Sequence, residues 1–157
     1  MRTPALASLL LIATAATAAC GGKPTESLPD AAYDCATETR ADPFSVGLTK
    51  VGTQGVVTFK LMSSTPAPPA RGDNSWQIDL VDGNGAPIAG AKVAVTPFMP
   101  DHNHGTSIKA QVTETSGGHY EVAPVNLWMP GLWQVTVTAT PVGGTLDKAM
   151  FSFCIGS

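Results

Sequence analysis

Positive charge is scarce in this chain and nowhere concentrated: nine Lys and Arg are scattered among twelve Asp and Glu, for a net charge of −3. Without a basic run, nucleic acid and anionic membrane surfaces are poor partners. No window repeats apolar residues at the helical period, which argues against helical architectures. The longest apolar stretch, residues 5–19, is too short to span a bilayer comfortably. Catalytic signatures are missing as well. No nucleophile elbow is present, and no histidine has a Ser or Cys partner by local motif. Gly83 and Gly85 are not followed by a third spaced glycine, and Lys92-Val93-Ala94-Val95 after them reads as a strand, so a nucleotide loop is excluded. The expectation is a protein that is not an enzyme.

The two ends carry processing and redox information. Arg2 followed by small apolar residues up to Ala19 has the form of a signal peptide over residues 1–19. Its close, Thr17-Ala18-Ala19-Cys20-Gly21, looks like a bacterial lipoprotein signal in which Cys20 becomes the lipidated N-terminus, although Thr17 stands where leucine is most usual. Ordinary cleavage near the same point would leave Cys20 as a free thiol. Lipidation is the preferred reading, because a lone exposed thiol is a liability in an oxidising compartment. Either route exports the protein. The expected location is the cell envelope, lipid-anchored and periplasm-facing or extracellular, with the lipid as the only membrane contact. Removing the signal leaves eight basic against twelve acidic residues. Residues 20–42, rich in Gly, Pro, Thr, Glu and Asp, read as a lipidated flexible tether.

Cys35 and Cys154 are then left as a pair. In an exported protein a disulfide joining them is plausible, and closing so long a loop would contribute about 4 kcal/mol in the chain-entropy model. The competing reading is metal ligation, but neither cysteine has a partner at ligand spacing.

From Pro43 onward about 115 residues remain, enough for one core and not for two. Their pattern has period two. Val57, Phe59 and Leu61 alternate with polar residues, as do Trp76, Ile78 and Leu80; Trp133, Val135, Val137 and Ala139; and Phe151, Phe153 and Ile155. Such alternation describes strands with one buried and one wet face, and places Phe59, Trp76, Trp133 and Phe153 in the core. Pro66-Ala67-Pro68-Pro69, Asp82-Gly83-Asn84-Gly85, Gly117-Gly118 and Gly143-Gly144 punctuate these runs. The expected fold is all-β, an immunoglobulin-like Greek-key β-sandwich of about seven strands over residues 43–157.

Chemistry is suggested by one segment, Met99-Pro100-Asp101-His102-Asn103-His104, which holds two of the three histidines. Met129 follows downstream, just before the clearest strand. Thioether sulfur is soft and suits copper, above all Cu(I), whereas imidazole accepts a wider range of ions. If the segment runs extended, His102 and His104 face the same way about 6.6 Å apart and can converge on one ion. The alternative is a polar surface loop of turn-forming residues with Met99 as the last core residue of its strand. His119, after Gly117-Gly118, reads as a solvated turn residue rather than a ligand.

The order of these features resembles the YtkA-like domain, related to FixH-like proteins: small exported β-sandwich modules associated with copper handling. Asp82-Gly83-Asn84-Gly85 leads through a short strand into the Met99-to-His104 motif, then Gly118-His119-Tyr120, then Met129-Pro130-Gly131-Leu132-Trp133. The likeness covers about residues 74–140 well and the flanking strands only generically. Carried over position by position, it implies Met99, His102, His104 and Met129 as copper ligands, with Trp133 in the core. Histidines stand here where many relatives carry methionines, which implies tolerance of Cu(II) as well as Cu(I). A copper chaperone, a buffer or an oxidase-assembly accessory would follow, with a copper transporter or oxidase subunit as partner. The reading from a different class is a metal-free immunoglobulin-like interaction or structural module on the cell envelope.

Overall fold

The computed structural model describes residues 33–157; Cys20, the signal peptide and most of the expected tether lie outside the described residues. Nine strands follow in chain order: β1 Leu48–Val51, β2 Thr58–Thr65, β3 Gly72–Val81, β4 Lys92–Met99, β5 His104–Gly105, β6 Gln111–Ser116, β7 His119–Leu127, β8 Gly131–Thr140 and β9 Asp147–Ile155. They form a five-stranded sheet in the order β1-β2-β3-β7-β6 and a four-stranded sheet in the order β5-β4-β8-β9, with every pairing antiparallel. Crossing between sheets after β3, β5 and β7 gives the Greek-key order of an immunoglobulin-like sandwich. Nine strands replace the seven or so expected, because β1 and β5 are too short to alternate visibly and β6 has an almost wholly polar face.

The core is the inward half of each alternating run. Phe59, Leu61, Trp76, Ile78, Leu80, Trp133, Val135, Val137 and Phe151 are wholly buried. Trp76 meets Phe151 and Phe153 edge-on at 6.3 and 5.7 Å between centroids, across the gap between the sheets. These T-shaped contacts match the positive ring edge of one partner to the negative face of the other. Tyr120 closes the opposite side: its buried hydroxyl donates to Ile88 O and accepts from Ala91 N, both at 2.9 Å. That bond fixes the crossing from β3 to β4.

The last part of the expected tether is not free. Asp42 N donates to Ser152 O at 2.7 Å, and Ser152 N returns a bond to the Asp42 carboxylate at 2.8 Å. Phe44 packs edge-on against Phe153. Cys35 and Cys154 are joined in a disulfide with Cα atoms 5.6 Å apart, so metal ligation by this pair is ruled out. Composition marked residues 33–42 as loose because their anchors are distant partners on β9, which no local pattern shows.

A buried carboxylate fastens the loop between β1 and β2. Asp147, wholly buried at the start of β9, accepts hydrogen bonds from the backbone N–H of Gln54, Val56, Val57 and Lys148 at 2.8–2.9 Å. Burial by itself would raise its pKa, but the four amide donors outweigh that and hold it below the ordinary aspartate value. A carboxyl lowered on folding stabilises the protein fully above its unfolded pKa, about 3.9, and loses that contribution as pH falls through the folded value. Asp147→Asn is expected to cost about 2–3 kcal/mol at neutral pH, the scale of hydrogen bonds to a charged acceptor. Urea unfolding should show the gap between variant and wild type narrowing below about pH 4. A gap that stays constant on acidification would contradict the role of the charge.

Candidate metal centre

At Met99 the fourth strand stops and the chain turns back through residues 100–103 into β5, pairing Met99 with His104 and Phe98 with Gly105. The turn needs one left-handed residue, and Asn103 supplies it with φ of 52°. His102 therefore sits in a turn and not in an extended strand as the spacing had suggested. The two imidazoles still come together: their ring centroids are 5.7 Å apart. A metal about 2 Å from a ring nitrogen lies about 3.2 Å from that ring's centroid, so two imidazoles on one ion have centroids no more than about 6.4 Å apart. The observed spacing satisfies that limit.

Cross-strand partners present their side chains to the same face, with Cβ atoms about 4.5–5.5 Å apart. Met99 and His104 thus share the inner face at one end of the sandwich. Met99 is wholly buried and His104 half-buried, whereas His102 is exposed. His104 is held from several sides. Its Nδ1 lies 3.0 Å from Gly105 O, and because a carbonyl only accepts, Nδ1 is the donor of this bond and Nε2 is the nitrogen left to ligate a metal. Such a backbone partner fixes both tautomer and ring direction. Trp128 stacks on the imidazole at 5.5 Å, and Trp133 meets it edge-on at 6.4 Å.

Met129 arrives on the loop between β7 and β8, half-buried against the core. Trp133 Nε1 donates to Met129 O at 2.9 Å, and Arg71 Nε donates to Trp128 O at 3.0 Å, so two carbonyls of this loop are pinned. The structure thereby brings Met99, His102 and His104 together at one end of the sandwich, with Met129 on the adjoining loop next to Trp128, which stacks on His104. His119 takes no part, being paired with Asp79 across the β3–β7 register. Among the described residues no three His, Cys, Asp or Glu side chains converge.

A charged cluster borders the same turn. Arg40 donates two bonds to Asp101, both at 2.7 Å, and two to Glu38 at 2.6 and 2.9 Å. The hydrogen bonds from Arg40 hold the Glu38 carboxyl down at about 2 and lower Asp101 as well. Tyr33 donates to Glu38 at 2.8 Å, and burial together with the neighbouring carboxylates raises its phenol. None of Tyr33, Glu38, Arg40 or Trp128 was picked out from the sequence. Arg40 and Asp101 are 61 positions apart, a pairing without local signature, while Trp128 stood beside Met129 with no pattern to separate it from a core residue.

The family model described as YtkA-like matches residues 53–138. The chain belongs to the YtkA-like family. Two solved structures of FetP from uropathogenic Escherichia coli strain F11 are similar to it. The as-isolated protein, expressed in the periplasm, is 13% identical over 73% of this chain and 97% of its own, with a TM-score of 0.49. A copper-bound variant of FetP is 14% identical over 69% and 94%, with a TM-score of 0.46. Likeness at that level says nothing of a metal in this chain. A search of curated proteins returns no match.

The closeness of Met99 to β8 in this YtkA-like domain rests on a glycine. Gly131 adopts φ of 131°, and a Cβ built on it would fall 2.5 Å from Met99 Cε. Gly131→Ala is therefore expected to destabilise the domain by about 1–3 kcal/mol, from backbone strain at this φ together with displacement of the Met99 methyl. Thermal unfolding should show Met99→Ala recovering part of that loss. A loss that Met99→Ala leaves untouched would place the whole cost in the backbone and contradict the contact with Met99.

Proposed function

We propose that this protein binds copper in the cell envelope through Met99, His102, His104 and Met129, as a carrier or buffer and not as a catalyst. The observation that carries the reading is the 5.7 Å spacing of the two imidazoles beside the cross-strand pair of Met99 and His104. Nitrogen donors with thioether sulfur form a set suited to copper, and hard cations have no use for the sulfur. The YtkA-like assignment, with the family's association with copper handling, supports the same reading. Export and a lipid at Cys20 would hold the domain where copper is delivered to a transporter or an oxidase. Both belong to the proposal.

A metal-free interaction module is the second reading. It is favoured by the complete burial of Met99, as in an ordinary core residue, and by the exposure of Phe98, Ile108 and Trp128 near the turn.

Titration of the mature domain separates the two. Wild type is expected to take up one Cu(I) or one Cu(II). His102→Ala with His104→Ala should abolish Cu(II) uptake and weaken Cu(I), while Met99→Leu with Met129→Leu should weaken Cu(I) selectively, because sulfur is lost with volume nearly kept. Uptake should fall on acidification, since imidazole must be unprotonated to ligate. Equal uptake by wild type and the double-histidine variant would favour the metal-free module.

A further inference from the structure

The four proposed donors differ sharply in access. His102 is exposed, His104 and Met129 are half-buried, and the Met99 thioether has no exposed surface. Close to it, beside Gly131, runs the segment that composition marked as tether. The side of Gly131 that meets Met99 Cε also meets the Tyr33 ring: a Cβ there would lie 3.8 and 3.9 Å from two ring carbons. Cys35 is bonded to Cys154, which pairs with Leu132 next to Gly131. Arg40 then reaches across to Asp101, the residue before His102, and Asp42 is bonded to Ser152. One short stretch thus brings Tyr33 to the same face of Gly131 as the Met99 methyl and bonds the histidine turn through Arg40.

We propose that residues 33–40 form a strap that sets the cation selectivity of the site. Closed, the strap withholds the Met99 sulfur, so that the two imidazoles outnumber the one remaining thioether, half-buried Met129, and Cu(II) is favoured. Lifted, it uncovers the Met99 sulfur and admits Cu(I). The strength of its fastenings is graded to allow this. The ionic fastening to the rest of the domain is Arg40 with Asp101, side chains 49% and 35% exposed, and an ion pair in such surroundings holds weakly beside a covalent bond. The disulfide is covalent and keeps the strap at its post while it moves. The selectivity half of this inference rests on the copper reading; the covering of Met99 does not.

Two measurements on the mature protein keep those halves apart. Tyr33→Ala and Arg40→Ala are each oxidised with hydrogen peroxide without metal, and sulfoxide at Met99 is followed by peptide mass spectrometry. Met150, 44% exposed, serves as the internal standard. Either variant is expected to oxidise at Met99 about tenfold faster relative to Met150 than wild type does, as loss of a local covering element allows. Protection of Met99 unchanged in both variants overturns the strap. The same proteins are then titrated with Ag(I), an air-stable soft monovalent ion, and with Cu(II). The ratio of Ag(I) to Cu(II) affinity is expected to rise about tenfold in the variants. A constant ratio alongside faster oxidation overturns the selectivity claim alone. Uptake of neither ion by any of the proteins overturns the copper reading and selectivity together, while the oxidation rates still decide whether the strap covers Met99.

Discussion

Pairing of Met99 with His104 across the end of β4 is the constraint on which the rest of the molecule's chemistry depends. Met99 is the last inward residue of a core strand, so its position is fixed by the same alternation that buries Val135 and Val137 on the neighbouring strand. The turn at Asn103 reverses the chain within four residues and returns His104 to the same face. A one-residue slip in that register would send His104 to the outer face and separate it from Met99, because side chains alternate at every step. The hydrophobic core therefore supplies the precision of the site. The stack of Trp128, the edge of Trp133 and the Gly105 carbonyl then hold the imidazole where the register has put it.

Burial sets up a tension at this end of the sandwich. A thioether packed against Gly131 stabilises the core but is withheld from a ligand, whereas His102 is freely presented and poorly fixed. Proteins commonly place binding groups on loops carried by a rigid scaffold. Here one proposed donor, Met99, belongs to the scaffold and another, His102, to the loop. The segment running from Tyr33 to Asp42 sits at the junction of the two, tied by a covalent bond at Cys35 and by exposed charges at Arg40.

What was legible beforehand follows from the range of the interactions involved. Strands β2, β3, β8 and β9 are long and alternate over most of their length, so periodicity alone identified them and placed Trp76 and Trp133 inside. The short β5 escaped because two residues carry no period, and with it went the turn that shapes the histidine pair. Local motif spacing picked out Met99, His102, His104 and Met129, but could not distinguish an extended segment from a turn. The Arg40 clamp, the four amides around Asp147 and the stacking of Trp128 are all made with residues distant in sequence, and a single sequence holds no signal for them.

Copper K-edge X-ray absorption on the Cu(I)-loaded mature protein tests the proposed centre most directly. A mixed site gives nitrogen scatterers at about 2.0 Å together with sulfur at about 2.3 Å. The sulfur shell should disappear from a variant carrying Met99→Leu and Met129→Leu, and the imidazole scattering from one carrying His102→Ala and His104→Ala. A Cu(I) spectrum with no sulfur shell, or one left unchanged by all four substitutions, would contradict a centre built on the pairing of Met99 with His104.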